Sequence, residues 1–359
     1  MKKIDLYIFK KFIGTFFFAI TMLILIVIIF DVSENIDSFL KNNAPWQRVV
    51  VDYYLMSIPY YINLFIHLFA FISVVFFTSK MAARSEIIAI LSSGISFWRV
   101  LYPYMLAALT ISVMSLYFGN FLIPKTNEIR RKFKDEYMER LSESAGRNVH
   151  VQIGKNEFVY VESFNITKQY GYKFSWEKYD GTELKYKVMS DIIYHDTVAD
   201  NSWRIDPYAS RTIEGEEELL FQGRNLDTIF NLYPKDLYKM KEDFEEMDFF
   251  ELRDHIQGMH EKGSEGVKEY EVEMHRRMAS PAAIIILTLI GAALSSRKVR
   301  GGIGVHLGIG ITIAFAYILF MQISKSYAIS GDLSPFMAVW IPNFIFAALG
   351  VYLLAKAPK

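Results

Sequence analysis

Six apolar stretches, each near the length that crosses a bilayer, decide what this chain can fold into. A span needs about 20 mostly apolar residues to cross a hydrocarbon core about 30 Å thick. Residues 12–30, 53–78, 100–124, 278–294, 303–323 and 336–355 meet that need without one Asp, Glu, Lys or Arg. The first run is too long for the apolar core of a signal peptide and has no small-residue cleavage site before Asp31. It reads as a retained first helix. The second carries Pro59 and His67 and should bend near Pro59. Pro124 is the expected end of the third. Residues 125–277 contain no comparable run, so a polar domain is inserted between two groups of three spans.

Basic residues in short loops set orientation. Lys2, Lys3, Lys10 and Lys11 precede the first span. Lys80, Arg84 and Arg99 follow the second, Arg297, Lys298 and Arg300 follow the fourth, and Lys356 and Lys359 close the chain. With six spans these all fall on one side. The opposite short loops hold only Lys41 and Arg48, and Lys325. Both termini are therefore expected in the cytoplasm and the 125–277 segment outside it.

From Val149 the texture changes to period two. Val149, Val151 and Ile153 alternate with polar residues, and FVYVESF, YGYKFSWEKY, LKYKVMSDIIYH, SWRID and YASRTIEG follow. Asp180-Gly181 marks a hairpin. Short strands at this spacing predict an antiparallel sandwich or roll. After Pro234 the pattern turns helical: Asp248-x-x-Glu251 is a capping-box signature, followed by the apolar stripe Phe250, Leu252 and Ile256.

Several chemistries are excluded. Net charge is +0, which gives no basic field to attract nucleic acid. The chain has 0 Cys, so there are no disulfides, thiolate nucleophiles or thiolate metal ligands. It has no G-x-x-x-x-G-K-[ST], H-E-x-x-H or G-x-S-x-G, and thus no motif for a phosphate-binding loop, a zinc protease or a serine esterase. His255 and His260 are wrongly spaced for a paired zinc site on one helix face. No catalytic constellation and no metal site are expected. Asn165-Ile166-Thr167 matches a glycosylation sequon, a pattern common by chance.

The loop after the second span reads SKMAARSEIIAILSSGISFWRV. It predicts a short amphipathic helix at about 82–95, with Ile87, Ile88 and Leu91 on its apolar side, Arg84 and Glu86 near its start, and Gly94 as its stop. Such a helix can lie on lipid or dock a partner. Glu86 favours docking, because an acid has little reason to face an anionic leaflet. His67 and His306 lie within spans, where ionisable groups are functional candidates. With no acidic partner in the spans, a hydrogen-bonding role is favoured for both. Gly301, Gly302, Gly304, Gly308 and Gly310 run along the fifth span and permit close helix approach, or a gate.

Three stretches carry a resemblance. They are Ser85-Glu86 through Ser96, YEVEMHRRMASPAAIIILTLIGAAL with Arg276, Arg277 and Pro281, and the Gly-rich fifth span with PFMAVWIPNFIFAALG, including Pro342-Asn343. In these residues and in layout the chain resembles the LptF/LptG family of lipopolysaccharide export permeases. The resemblance implies an α-helical membrane protein with six transmembrane helices and an inserted periplasmic β-jellyroll-like domain. The parts would be 1–124 (three spans with the coupling helix), 125–277 (jellyroll plus helical connector) and 278–359 (three spans). It implies an inner-membrane permease that extracts lipopolysaccharide and passes it to a periplasmic bridge. The partners would be an LptB-like ATPase dimer, a second permease of the family and LptC/LptA-like jellyroll proteins. ATP and magnesium would bind the ATPase and no cofactor this chain, and the first and fifth spans would form lateral gates with the second permease. Arg84, Ser85, Glu86, Ile87, Leu91 and Gly94 would couple to the ATPase, with Glu86 as the contacting acid.

Some members of that family place basic residues at the outer end of the first span. Here Asp31, Glu34 and Asp37 stand there, leaving Lys41, Arg48 and Lys325 as the implied lipid-phosphate contacts. Two other readings stay open on sequence alone: a membrane-anchored sensor or scaffold, and a force-transmitting ABC permease that carries no lipid.

Overall fold

The computed structural model describes every residue except 1–2, 139–144, 166–167, 197–200, 216, 238–242, 263–265, 298, 300–301 and 358–359. Part of the 165–167 sequon and the basic residues Lys2, Lys298, Arg300 and Lys359 thus lie outside the described residues, as does Gly301. The chain divides into two compact units. One is helical and comprises Met1–Phe133, Phe244–Leu252 and Lys268–Lys359; the other comprises Lys134–Asp243 and Arg253–Val267.

Among the described residues, six helices are long and apolar enough to cross a membrane: Lys3–Lys41, Trp46–Ala83, Phe97–Tyr137, Val267–Ser295, Gly302–Ser330 and Pro335–Ala355. Most outrun the apolar stretches that reveal them. The first continues through Asp31–Lys41 because Phe39 still finds a core there, edge-on to Tyr53, Tyr54 and Phe133. The third does not end at Pro124. A proline removes an N–H and crowds the carbonyl four residues back. For Pro124 that residue is Asn120, and for Pro59 it is Leu55. Both lie in π-helical segments, Phe118–Leu122 and Val49–Leu55. The wider π turn accommodates each proline without breaking its helix.

Spans one to three pack through Phe12, Phe16, Ile66, Val74, Tyr104 and Ala107. The second span also presents Phe71 and Val75 to a second cluster, with Leu287 of the fourth span, Tyr317 of the fifth and Phe346 of the sixth. Within a bilayer such contacts gain little from water exclusion, so shape and polar bonds decide helix association. The polar bonds converge on residues 279–281, midway along the fourth span. Ser280 Oγ lies 2.5 Å from His67 Nε2, and Ser112 Oγ donates to the Pro281 carbonyl at 2.9 Å. Asn343 Nδ2 donates to the Ala279 carbonyl at 3.3 Å and its Oδ1 accepts from the Tyr317 hydroxyl at 2.9 Å.

Among its described residues, the second unit holds an antiparallel sheet of eight strands. They are β1 Ala145–Gly154, β2 Glu157–Asn165, β3 Tyr170–Asp180, β4 Glu183–His195, β5 Ser202–Ile205, β6 Tyr208–Glu214, β7 Glu217–Gly223 and β8 Leu226–Ile229. The order is β1-β2-β3-β4-β5-β8, and the β6–β7 hairpin joins at β4. The β3–β4 hairpin turns where expected: Asp180 pairs with Glu183, and Gly181 takes the left-handed φ of +61° that glycine tolerates. Val159, Val161, Phe174, Val188, Trp203 and Ile205 form the core, and the Trp203 indole N–H donates to the Leu232 carbonyl at 2.9 Å. On β3, burial acts to raise the Glu177 carboxyl, yet hydrogen bonds from Lys187 and Tyr179 hold it below the usual carboxylate range. Asp248 and Glu251 form the expected capping box at the start of helix Phe249–Lys262. Asp248 Oδ1 accepts from the Glu251 N–H at 2.9 Å, and Glu251 Oε2 accepts from the Asp248 N–H at 2.9 Å. Leu252 and Ile256 are buried as the stripe predicts, but Phe250, off that i, i+4 row, is exposed.

Candidate functional site

The loop between the second and third spans folds because its backbone is broken at two points. The second span stops at Ala83, and Ser85 adopts a left-handed φ of +59°. A short helix, Glu86–Ser92, starts immediately after. Gly94 follows its end with a φ of +84°, and its N–H bonds the Leu91 carbonyl at 3.0 Å. A helix of seven residues is not stable alone and depends on packing. Ile87 supplies it at 1% exposure, with Ile90, Leu91 and Ile95 beside the same cluster.

The other face is open. Arg84, Ser92 and Ser93 are exposed, and Gly94 has only open space where a side chain would stand. Ile88 was expected beside Ile87 and Leu91 on the apolar side. It is 48% exposed, because one residue on a helix turns about 100° away from its neighbour. Trp98, just beyond the loop, is 68% exposed. The free face is therefore a patch of mixed apolar and basic character.

Two ionic ties join this loop and the head of the third span to the start of the first span. Glu86 Oε2 accepts from the Tyr7 hydroxyl at 2.9 Å and lies 3.9 Å from Lys11 Nζ, whose ammonium sits over the Tyr7 ring. Arg99 Nη2 donates to Asp5 Oδ2 at 2.7 Å. Asp5 is buried, and sequence reasoning passed over it. The signal was there: a lone acid among four lysines before an apolar span requires a partner when it is buried.

The basic residues implied for lipid contact are less concentrated. Lys41 ends the first span and is exposed, while Arg48 donates to Asp52 at 2.9 Å one turn further along its own helix. Both flank the turn between the first two spans. Beside that turn lies an apolar cleft of about 580 Å³, lined by Val32, Ile36, Phe39, Trp46, Val50 and Tyr54 among others. Lys325 lies in the last turns of the fifth span, half-buried. His67 bonds Ser280, and His306 Nε2 lies 2.9 Å from the Arg297 carbonyl. Each histidine thus has a hydrogen-bonding partner from another part of the chain.

A further ionic cluster went unread in the sequence. Glu273, in the first turns of the fourth span, receives both Arg276 and Arg277. Arg276 Nε donates to Oε2 at 2.7 Å, and Arg277 Nε donates to Oε1 at 3.0 Å. The i, i+4 acid–arginine spacing at the entry to an apolar run was the readable sign.

These features define a class: a six-span membrane protein with an inserted antiparallel β unit and no phosphate-binding loop in its sequence. The chain belongs to the LptF/LptG family, described as lipopolysaccharide export system permease, which matches residues 6–356. It is 21% identical over 359 residues to the lipopolysaccharide export system permease protein LptG of Haemophilus influenzae, covering 98% of each chain. It is 19% identical over 311 residues to the protein of that name from Escherichia coli K12, covering 85% of this chain and 84% of that one.

Proposed function

We propose that this chain is the permease subunit, of the LptG type, of an ABC transporter in the bacterial inner membrane. It extracts lipopolysaccharide from that membrane and passes it to a periplasmic bridge. An LptB-like ATPase dimer supplies the energy and binds ATP and magnesium. The second permease is of the LptF type, and LptC/LptA-like jellyroll proteins receive the lipid. Both termini are cytoplasmic, and the β unit is periplasmic and acts as the jellyroll of the bridge.

The observation that carries this reading is the family match from residue 6 to 356, which takes in every span and the β unit together. The lack of a phosphate-binding loop agrees with it, since the nucleotide then belongs to a partner. The relatives that match carry the LptG name, which favours that side of the pair.

The loop geometry fits coupling. Arg84, Ile88 and Trp98 face outward to meet the ATPase, while Ile87 and Leu91 anchor the helix and the bends at Ser85 and Gly94 set its direction. Glu86, held by Tyr7 and Lys11, passes movement of the loop helix to the first span. The apolar cleft near Lys41 and Arg48 suits acyl chains below a phosphorylated headgroup, and Lys325 contributes from the fifth span. The first and fifth spans form the lateral gates.

The test is reconstitution of the assembly in proteoliposomes loaded with lipopolysaccharide. ATP-dependent release of lipid to a soluble jellyroll acceptor is expected, and omission of this chain abolishes it. Equal release without the chain contradicts the assignment.

A further inference from the structure

The chain re-enters the helical unit through the short segment Phe244–Leu252, and that segment is gripped. Its first two residues, Phe244 and Glu245, complete a single turn of 3-10 helix that begins at Asp243. Such a turn is poorly bonded by itself. Arg277 of the fourth span supplies what the turn lacks. Its Nη1 donates to the Met247 carbonyl at 2.8 Å and its Nη2 to the Phe244 carbonyl at 2.5 Å. Its Nε is committed to Glu273 at 3.0 Å. The side chains of Arg277 and Glu273 are 4% and 8% exposed, so solvent screens this pair little. Arg276 holds the same carboxylate from its other side. The Arg277 stem runs past Gly119 of the third span, 4.0 Å from where a Cβ would stand.

The third span grips the same segment. Asn127 Nδ2 donates to the Glu245 carbonyl at 3.2 Å, and Arg131 pairs with Glu246 at 2.8 Å. The Phe244 ring packs edge-on against Tyr270 of the fourth span. Four residues from two spans, Asn127, Arg131, Tyr270 and Arg277, therefore act on four consecutive connector residues, and one of the two buried among them is an arginine whose planar fork bridges two carbonyls. Lysine, with one ammonium, cannot hold two carbonyls and a carboxylate in that geometry.

We propose that Arg277 is a positioning residue that locks the connector to the fourth span, so that the chain leaving the β-sheet unit moves as one body with that span. In a transporter this makes the connector a lever between ATP-driven helix motion and the β unit. The lever role rests on the permease reading above; the lock itself does not.

The experiment is R277K in the full chain, reconstituted in nanodiscs, read by amide hydrogen exchange and then by lipid released per ATP in the assembled transporter. Loss of bonds from a charged donor should speed exchange across 244–252 by about tenfold, while residues 280–295 exchange as before. Lipid released per ATP should fall by about the same factor while ATP hydrolysis continues, a split that general destabilisation does not produce. Unchanged exchange in the connector overturns the lock, and faster exchange with unchanged lipid per ATP overturns the lever. If the unsubstituted assembly moves no lipid, the permease reading fails while the exchange result still judges the lock. Should R277K fail to insert, R131Q takes its place at the less buried grip: exchange about threefold faster supports the lock, and no change overturns it.

Discussion

The fourth and fifth spans are consecutive in the chain and equally free of charge in their apolar stretches, yet they are used differently. In its most apolar window the fourth is 67% buried inside the chain, whereas the fifth, like the first, is 22% buried. The fourth gathers polar bonds from the second, third and sixth spans through Ser280, Pro281 and Ala279. The fifth turns Val305, Ile309, Phe315 and Leu319 outward and leaves Gly304 and Gly308 with nothing within 4 Å. Apolarity therefore does not say what a membrane helix packs against. Small and polar residues do, because they mark where backbones approach and where bonds cross.

The sharpest way to break this comparison uses one glycine from each span. A side chain at Gly291 of the fourth would meet Val74 at 3.0 Å and Phe71 at 3.1 Å. Gly291→Leu should cost about 3 kcal/mol of chain stability by overpacking, read as denaturant unfolding in detergent. Gly308→Leu should change that stability by less than about 0.5 kcal/mol and instead reduce co-purification of the second permease. Equal losses at the two sites would end the distinction. Next in size is Asn343→Leu, which removes both the acceptor for Tyr317 and the donor to Ala279; about 1.5 kcal/mol should be lost in the same assay. Ser280→Ala, which unpairs His67, should lose about 1 kcal/mol. Glu86→Lys should have the smallest effect on the isolated chain, under about 1 kcal/mol, since its ties to Tyr7 and Lys11 are partly exposed. It should nevertheless lower recovery of the ATPase. Full recovery with a well-folded E86K chain would remove Glu86 from the coupling site.

Much of the fold was legible because bilayer thickness and strand period leave plain marks. The six apolar runs, the Asp180-Gly181 hairpin and the Asp248–Glu251 capping box each rest on a local rule, and each is present in the structure. Three kinds of feature were not legible. Helices continued past their apolar runs, since the passage through Pro124 depends on a π segment no local pattern announces. β7 escaped notice because its Leu219, Leu220 and Phe221 are consecutive and all exposed, which is not an alternating strand pattern. β8 is only four residues long. In the candidate site, the bends at Ser85 and Gly94 left room for a helix of seven residues within the 82–95 stretch. The partners of Glu86 could not be seen, because Tyr7 and Lys11 lie more than seventy residues away in sequence.

The central claim is that this chain is a transport subunit whose energy comes from another protein. Its most direct test is purification of the tagged chain from bacterial membranes in mild detergent, with mass spectrometry of what accompanies it. The account predicts a small soluble ATPase bearing a phosphate-binding loop together with a second six-span permease. Reproducible recovery of the intact chain alone, or with periplasmic proteins only, would contradict it and favour a sensor or scaffold.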